Sequence, residues 1–299
     1  NVCWGGVAFY PSQVLPVAEE VRERGDALAE CLAAARRHGV EVHAWRVNWN
    51  LGRAPADFVE RLRAEGRLQR GRDGTELLWL CPSHPDNRRL EVEAMLELAR
   101  RYDVDGLHFD YIRCPDAEHC FCDGCRARFE AAIGRPVPNW PGDLRTVPWR
   151  DEWNEWRRRQ ISSLVEEVHL RVRALRPGLK LSAAVFREWE RDRDLVAQDW
   201  KLWCERGWLD FVCPMNYIEN AAQFQRLVER QREWAGAVPL CPGIGASASS
   251  SRLGVLDVIE QVRIAERLGA AGFVVFNYGV MEYEELIPLL GLGLLRSTR

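Results

Sequence analysis

The sequence predicts an α/β fold of the TIM type, a (β/α)8 barrel, and three observations carry that expectation. Short β-branched or aromatic runs alternate with amphipathic stretches long enough for helices. The alternation yields eight strands within 299 residues, the size of one such barrel. No G-x-G-x-x-G loop follows the first strand, as an open dinucleotide-binding sheet requires.

In chain order, strands are expected over Val2–Phe9, Val40–Val47, Glu76–Leu80, Gly106–Tyr111, Leu179–Phe186, Leu209–Met215, Val238–Pro242 and Gly272–Tyr278. Helices are expected over Val17–His38, where Val21, Leu28, Leu32 and Ala35 recur at helical spacing and Gly39 marks the end, and over Pro55–Ala64 and Asp86–Tyr102. Four more follow over Glu152–Leu175, stopped by Pro177-Gly178, and over Leu195–Arg206, Ala221–Trp234 and Val255–Leu268. One domain over 1–299 is expected, interrupted at about 114–150 by a Cys-rich insertion that ends in a Pro/Trp-rich run, Pro136 to Pro141.

Composition narrows the function classes. The chain is 47% hydrophobic and 28% charged, with a net charge of -3, which is the balance of a soluble globular protein and not of a dedicated nucleic-acid binder. No apolar run approaches the roughly 18 residues of a membrane span. Two excesses call for a role: 13 Trp and 10 Cys. Lysine is nearly absent, since only Lys180 and Lys201 stand among 41 basic residues, which points to a GC-rich genome. The chain opens on Asn1 with no charged-then-apolar leader, so any export signal is expected to have been removed already.

Active sites of such barrels form where strands end. In the strand around Gly106–Tyr111, period-two alternation puts His108 and Asp110 on one face and Leu107 and Phe109 on the other. With the apolar pair on the helices, His108 and Asp110 face the lumen. A carboxylate there is costly unless hydrogen-bonded or used; the plain structural alternative pairs Asp110 with Arg113 or His108. Trp45, Trp49, Trp79 and Trp189 lie near strand ends, where indole faces suit sugar rings, whereas Trp153, Trp156, Trp200, Trp203, Trp208 and Trp234 read as packing residues. Asn48, Asn216, Asn277, Tyr217 and Tyr278 are candidate hydroxyl binders. Arg46 and Arg113 are candidates for an anionic substituent or for neutralising Asp110.

The segment Tyr102-Asp103-Val104-Asp105-Gly106-Leu107-His108-Phe109-Asp110-Tyr111-Ile112-Arg113-Cys114-Pro115 resembles the YDVDGIHFDYIRYP signature of bacterial glycosyl-hydrolase-like family 10 proteins. Glu41-Val42-His43-Ala44-Trp45 and Trp79-Leu80-Cys81-Pro82-Ser83-His84-Pro85 resemble its EVHAW strand and WLCPSNP turn. Gln198-Asp199-Trp200, the run Gly207 to Tyr217 and Gly272 to Phe276 also fit, in the family's order. The resemblance implies a TIM-type barrel acting on a glycan, with cell-wall amino-sugar strands as one option. It prefers a bacterial extracytoplasmic setting and leaves the oligomeric state open.

Two departures stand out. Cys114 replaces the family's Tyr. The family also has a βα unit before the segment matching Asn1 to Pro16; in that register the barrel lacks or replaces its first unit, and Glu76–Leu80 is an extra strand.

Hydrolysis of a glycosidic bond ordinarily takes two carboxylates. Asp110 is the first candidate, as nucleophile or base, and the acid is expected among the carboxylates that follow other strands. Glu219, beside Asn216 and Tyr217, leads for the second, ahead of Glu188, Glu190, Asp199 and Glu282. Substrate contacts are expected from Trp45, Asn48, Trp49, His108, Tyr111, Arg113, Glu188, Asn216, Tyr217, Asn277 and Tyr278. The alternatives are a non-catalytic glycan-binding barrel and, more remotely, a Cys-centred redox or metal protein.

Catalysis needs no cofactor in this reading. Cys120-x-Cys122-x2-Cys125 offers three thiolates within six residues, and zinc takes four. Cys114 and His119 are close in sequence and Cys81 ends the preceding strand; the resemblance prefers Cys81. Two disulfides among Cys114, Cys120, Cys122 and Cys125, or free thiols, remain open readings. A catalytic metal is not expected, because no H-E-x-x-H or His triad is present.

Overall fold

A computed structural model of the chain describes residues 1–292; the last seven positions of the expected domain, 293–299, lie outside the described residues. The elements begin with β1 (Cys3–Trp4), β2 (Val7–Ala8), α1 (Glu19–Arg24), α2 (Ala27–His38), β3 (His43–Val47), α3 (Ala56–Ala64), β4 (Leu68–Arg70), β5 (Glu76–Leu80), α4 (Pro85–Arg101) and β6 (Gly106–Asp110). Next come α5 (Asp123–Ile133), a 3-10 turn at Gly142–Arg145, α6 (Trp149–Leu175), β7 (Lys180–Val185), α7 (Trp189–Leu195), α8 (Trp200–Glu205), β8 (Phe211–Asn216) and α9 (Ala221–Ala235). The series closes with β9 (Gly243–Gly245), β10 (Ser247–Ala248), β11 (Ser251–Arg252), α10 (Val255–Arg267), β12 (Val274–Phe276), a π turn at Glu282–Leu286 and α11 (Ile287–Leu292).

The central sheet runs β12-β9-β8-β7-β6-β3-β1-β2. From β1 through β3, β6, β7, β8 and β9 to β12 every neighbour pairs in parallel and in chain order, the winding of a TIM-type barrel. β2 closes one edge as an antiparallel hairpin partner of β1. Among the described residues β12 and the β1–β2 hairpin are not hydrogen-bonded to one another.

Several expectations move. Glu76–Leu80 is a strand but not a barrel member: it pairs antiparallel with β4, which the sequence reading did not mark. The expected Val2–Phe9 strand is two short strands about a Gly5-Gly6 turn. Gly25 breaks the long helix expected over Val17–His38, and Asp26 restarts it by accepting a hydrogen bond from the Ala29 N–H at 3.1 Å. The helix expected over Leu195–Arg206 is instead α7 and α8. The strand expected over Val238–Pro242 begins five residues later, as β9. The 114–150 insertion is not irregular throughout, since it contains α5.

Alternation along the strands sorts the side chains. On β6, Leu107 and Phe109 are fully buried beneath the helices, with Val92, Met95 and Leu96 of α4 and Ile161, Leu164, Val165 and Val168 of α6 in the same core. On β3, Arg46 also faces outward, where it meets Glu91 of α4 in a bidentate ion pair. That carboxylate further accepts from Asn48 Nδ2 at 2.6 Å. A second apolar cluster holds the insertion: Trp153 stacks on Phe121 at 5.4 Å and on Trp156 at 4.9 Å, with Phe129 edge-on at 5.0 Å.

Arg46 and Glu91 are 3% and 2% exposed, so removing one partner strands a charge in the core. Glu91→Ala is expected to cost about 3–5 kcal/mol in urea unfolding, and Arg46→Met with Glu91→Leu to recover most of that loss. A double variant as unstable as the single one would contradict this account.

Candidate active site

The parallel register sets Trp45 of β3 beside His108 of β6, and Val47 beside Asp110. Trp45 therefore lies diagonal to Asp110 on the lumen face, and its indole Nε1–H donates to Asp110 Oδ2 at 3.0 Å. The other oxygen, Oδ1, accepts the Tyr111 N–H at 2.7 Å. Tyr111 adopts a positive φ of 52°, a costly conformation for an aromatic residue. Its ring stacks on Trp79 at 5.5 Å, and the Arg113 guanidinium lies 4.6 Å from its centre.

Asp110 is 7% exposed. Burial raises its pKa above the ordinary carboxylate value, against the opposing pull of the Tyr111 N–H, the Trp45 indole and the Arg113 charge. Among the described residues it has no direct ion pair: Arg113 donates to the carbonyls of Cys114 and Pro115. The structural alternative of an Asp110–Arg113 or Asp110–His108 pair is not what the structure contains, since His108 Nδ1 bonds to Ser182 Oγ at 2.8 Å.

Asp110 opens onto a lumen cavity of about 520 Å³. Its walls carry His43, Trp45, His108, Tyr217, Phe276, Asn277 and Tyr278. Small residues make the room: Ala184 on β7 and Gly243 on β9 are part of the lining. Gly106 leaves space for the His43 ring, whose Nδ1 would lie 2.2 Å from an added Cβ. Gly245 does the same for Tyr217, whose Cβ would lie 2.9 Å away. Tyr217 stacks on Phe276 at 5.2 Å, and Phe276 stands edge-on to Trp45 at 6.1 Å. Burial and the nearby Asp110 charge push the Tyr217 phenol pKa up, so the side chain stays a neutral O–H donor.

Of the residues expected at the site, Trp45, His108, Asp110, Tyr217, Asn277 and Tyr278 line this cavity, while Tyr111 and Arg113 back it through the Trp79 stack. The others lie elsewhere. Asn48 serves Glu91, and Trp49 is 1% exposed in the core. Asn216 exchanges two hydrogen bonds with Gln231 of α9, at 2.8 and 2.7 Å. Glu188 pairs with Arg230 at 2.8 Å, as does Glu190. Asp199 accepts the Trp189 indole N–H at 2.7 Å. Glu219 is exposed and accepts the Arg252 N–H at 3.2 Å. Glu282 is buried outside the lining. Among the described residues, Asp110 is thus the one carboxylate of the lining. His43 and Phe276 went unmarked in the sequence, although His43 precedes Trp45 by two positions and shares its face.

The four thiols of Cys81, Cys120, Cys122 and Cys125 come together, all ligand atoms within 4.8 Å of one another, and could bind a metal. Neither Cys114 nor His119 belongs to the group. None of the ten cysteines is bridged to another in this structure.

Two titrations test the site. Burial, with smaller contributions from His43 and the chain's amino terminus, takes the His108 pKa from 6.5 to about 4. Between those values the unfolded chain takes up a proton that the folded chain refuses. This part of the stability is present above pH 6.5 and is lost as pH falls toward 4. His108→Gln should flatten the fall in urea midpoint over that window; an unchanged slope would remove the assignment. Trp45→Phe deletes a hydrogen bond to the ionised carboxylate, so the infrared titration midpoint of Asp110 should rise. A midpoint that stays or drops would mean that the indole does not hold the charge.

Comparison with known proteins bears on the family and the fold. The family model described as "Glycosyl hydrolase-like 10" matches residues 1–244. Glycosyl hydrolase YngK of Bacillus subtilis is 24% identical over 255 residues, covering 74% of this chain and 46% of that protein. Glycosyl hydrolase DigH of Escherichia coli is 22% identical over 269 residues, covering 78% of this chain and 57% of that protein. The chain thus spans about half the length of these curated relatives. Among solved structures, the glycoside hydrolase domain of PgaB (BpsB) from Bordetella bronchiseptica superposes with a TM-score of 0.76 at 16% identity, over 95% of this chain and 82% of that one. Gan42B, a GH42 β-galactosidase from G. stearothermophilus, gives 0.64 at 14% identity, over 92% and 46%. These likenesses show the TIM-type fold. With the family model covering most of its length, the chain belongs to the glycosyl hydrolase-like 10 family.

Proposed function

We propose that the chain hydrolyses glycosidic bonds, with Asp110 as the acid that protonates the leaving oxygen. The observation that carries this reading is a desolvated carboxylate with a raised pKa at the end of a central strand, facing a cavity walled by Trp45, Phe276 and Tyr217. A general acid must hold its proton near working pH, and burial supplies that. The aromatic walls offer faces for sugar rings.

Among the described residues, the lining holds no second carboxylate of the usual pair. Glu219, the expected partner, points to the β10–β11 hairpin instead. The chemistry then needs another nucleophile, and a 2-acetamido group on the substrate is one: its carbonyl oxygen attacks C1 as Asp110 protonates the departing oxygen, and water later opens the cyclic intermediate. Tyr217 supplies an O–H to orient that acetamido group. The substrate class is therefore a glycan containing N-acetylhexosamine.

No helix among the described residues is long and apolar enough to cross a membrane. The single lining carboxylate also suits a binding barrel without turnover, and one experiment separates the two. N-acetylated oligosaccharides and their de-N-acetylated counterparts are offered to the wild type and to Asp110→Asn. Turnover is expected only on the N-acetylated set, and Asp110→Asn should lower it by about 10²–10⁴-fold with binding retained. Binding without turnover in the wild type would establish the binding barrel. Equal turnover of both sets would remove the acetamido step.

A further inference from the structure

We propose that Cys81, Cys120, Cys122 and Cys125 form a structural zinc centre that fastens the Cys-rich insertion to the end of β5, and through β5 to the aromatic wall behind Asp110. The cysteines come from separate places: Cys81 follows β5, Cys120 and Cys122 lie in the insertion, and Cys125 stands in the first turn of α5. Their sulfurs nevertheless meet, Cys81 with Cys125 at 3.3 Å and with Cys122 at 3.8 Å, and all four within 4.8 Å. A tetrahedral zinc bound at about 2.3 Å by four thiolates sets its sulfurs about 3.8 Å apart. All four residues are buried, so no position is open to substrate.

The surroundings suit a tetrathiolate carrying net negative charge. The backbone N–H groups of Arg70 and Cys125 donate to the sulfurs of Cys120 and Cys122, both at 3.4 Å. Ser83 Oγ lies 3.3 Å from Cys81 Sγ and 3.2 Å from Cys125 Sγ. Arg128 holds that Ser83 hydroxyl at 3.0 Å and sets its guanidinium 3.9 Å from Cys81 Sγ. N–H···S bonds and one adjacent cation are what an anionic zinc–thiolate group needs around it. Cys114, a nearby thiol, stays outside the group.

The consequence for the site runs through β5. Trp79, two residues before Cys81, stacks on Tyr111, whose N–H holds Asp110. The centre thus positions that wall from outside the cavity and takes no part in bond cleavage.

The test is metal content and thiolate ligation in the purified full chain. One zinc per chain is expected by elemental analysis, with four thiols that react only after chelation. Cobalt(II) in place of zinc should give the visible bands of a tetrahedral thiolate complex. Cys122→Ser should alter those bands and Cys114→Ser should leave them unchanged, so a misfolded Cys122 variant does not decide the matter alone. Arg128→Ala should weaken zinc binding about 10–100-fold in competition with a chelator. On chelation, amide hydrogen exchange should rise at residues 77–81 as well as in the insertion. Metal-free protein with disulfides by intact mass, one equivalent of iron, or a cobalt spectrum lost in Cys114→Ser would each overturn the proposal.

Discussion

The site depends on a carboxylate taken out of water without a counter-ion. Burying Asp110 is unfavourable unless its oxygens find donors. The structure provides two, the Trp45 indole and the Tyr111 backbone N–H, and both cost something elsewhere. The indole requires β3 to hold its in-register pairing with β6. Tyr111 itself sits in a left-handed conformation, its ring packed against Trp79, Trp4 and the Arg113 guanidinium. The donors favour the charged form and the desolvation favours the neutral one; the net upward shift means that desolvation wins.

The two faces of β3 separate structural from functional electrostatics by a single residue step. Trp45 turns into the lumen and meets Asp110, while Arg46 turns out and meets Glu91 beneath α4. The outward charges bind each other in a bidentate pair, and Asn48 donates a further hydrogen bond to Glu91. Among the described residues the inward carboxylate is in no ion pair, and burial raises its pKa. The same pleat thus builds a rigid support and a responsive group side by side.

The insertion at 114–150 interrupts the barrel directly after the strand that carries Asp110. Its Phe121 and Phe129 share an apolar cluster with Trp153 and Trp156 of α6, and three of its thiols converge with Cys81, which follows β5. The tryptophan excess thereby divides by surroundings: Trp45 meets the cavity, Trp79 backs it, and Trp153, Trp156, Trp200 and Trp203 pack helices.

The sequence by itself determined the α/β alternation, the lumen orientation of His108 and Asp110, and the proximity of Cys120, Cys122 and Cys125, because periods of two and of a few residues are local properties that a linear pattern records. The tertiary structure decided which strands share the sheet, moving Glu76–Leu80 into a separate hairpin with Leu68–Arg70, since strand pairing is a long-range choice. It decided that Asn48 and Asn216 are occupied, by Glu91 and Gln231, partners on helices that a strand-end rule does not see. It set Glu219 against the β10–β11 hairpin, left Asp110 as the lining's lone carboxylate, and brought Cys81 across 39 residues of chain to Cys120. In each case the reason is the same: a polar group's role depends on which partner reaches it first, and those partners are brought close only by folding.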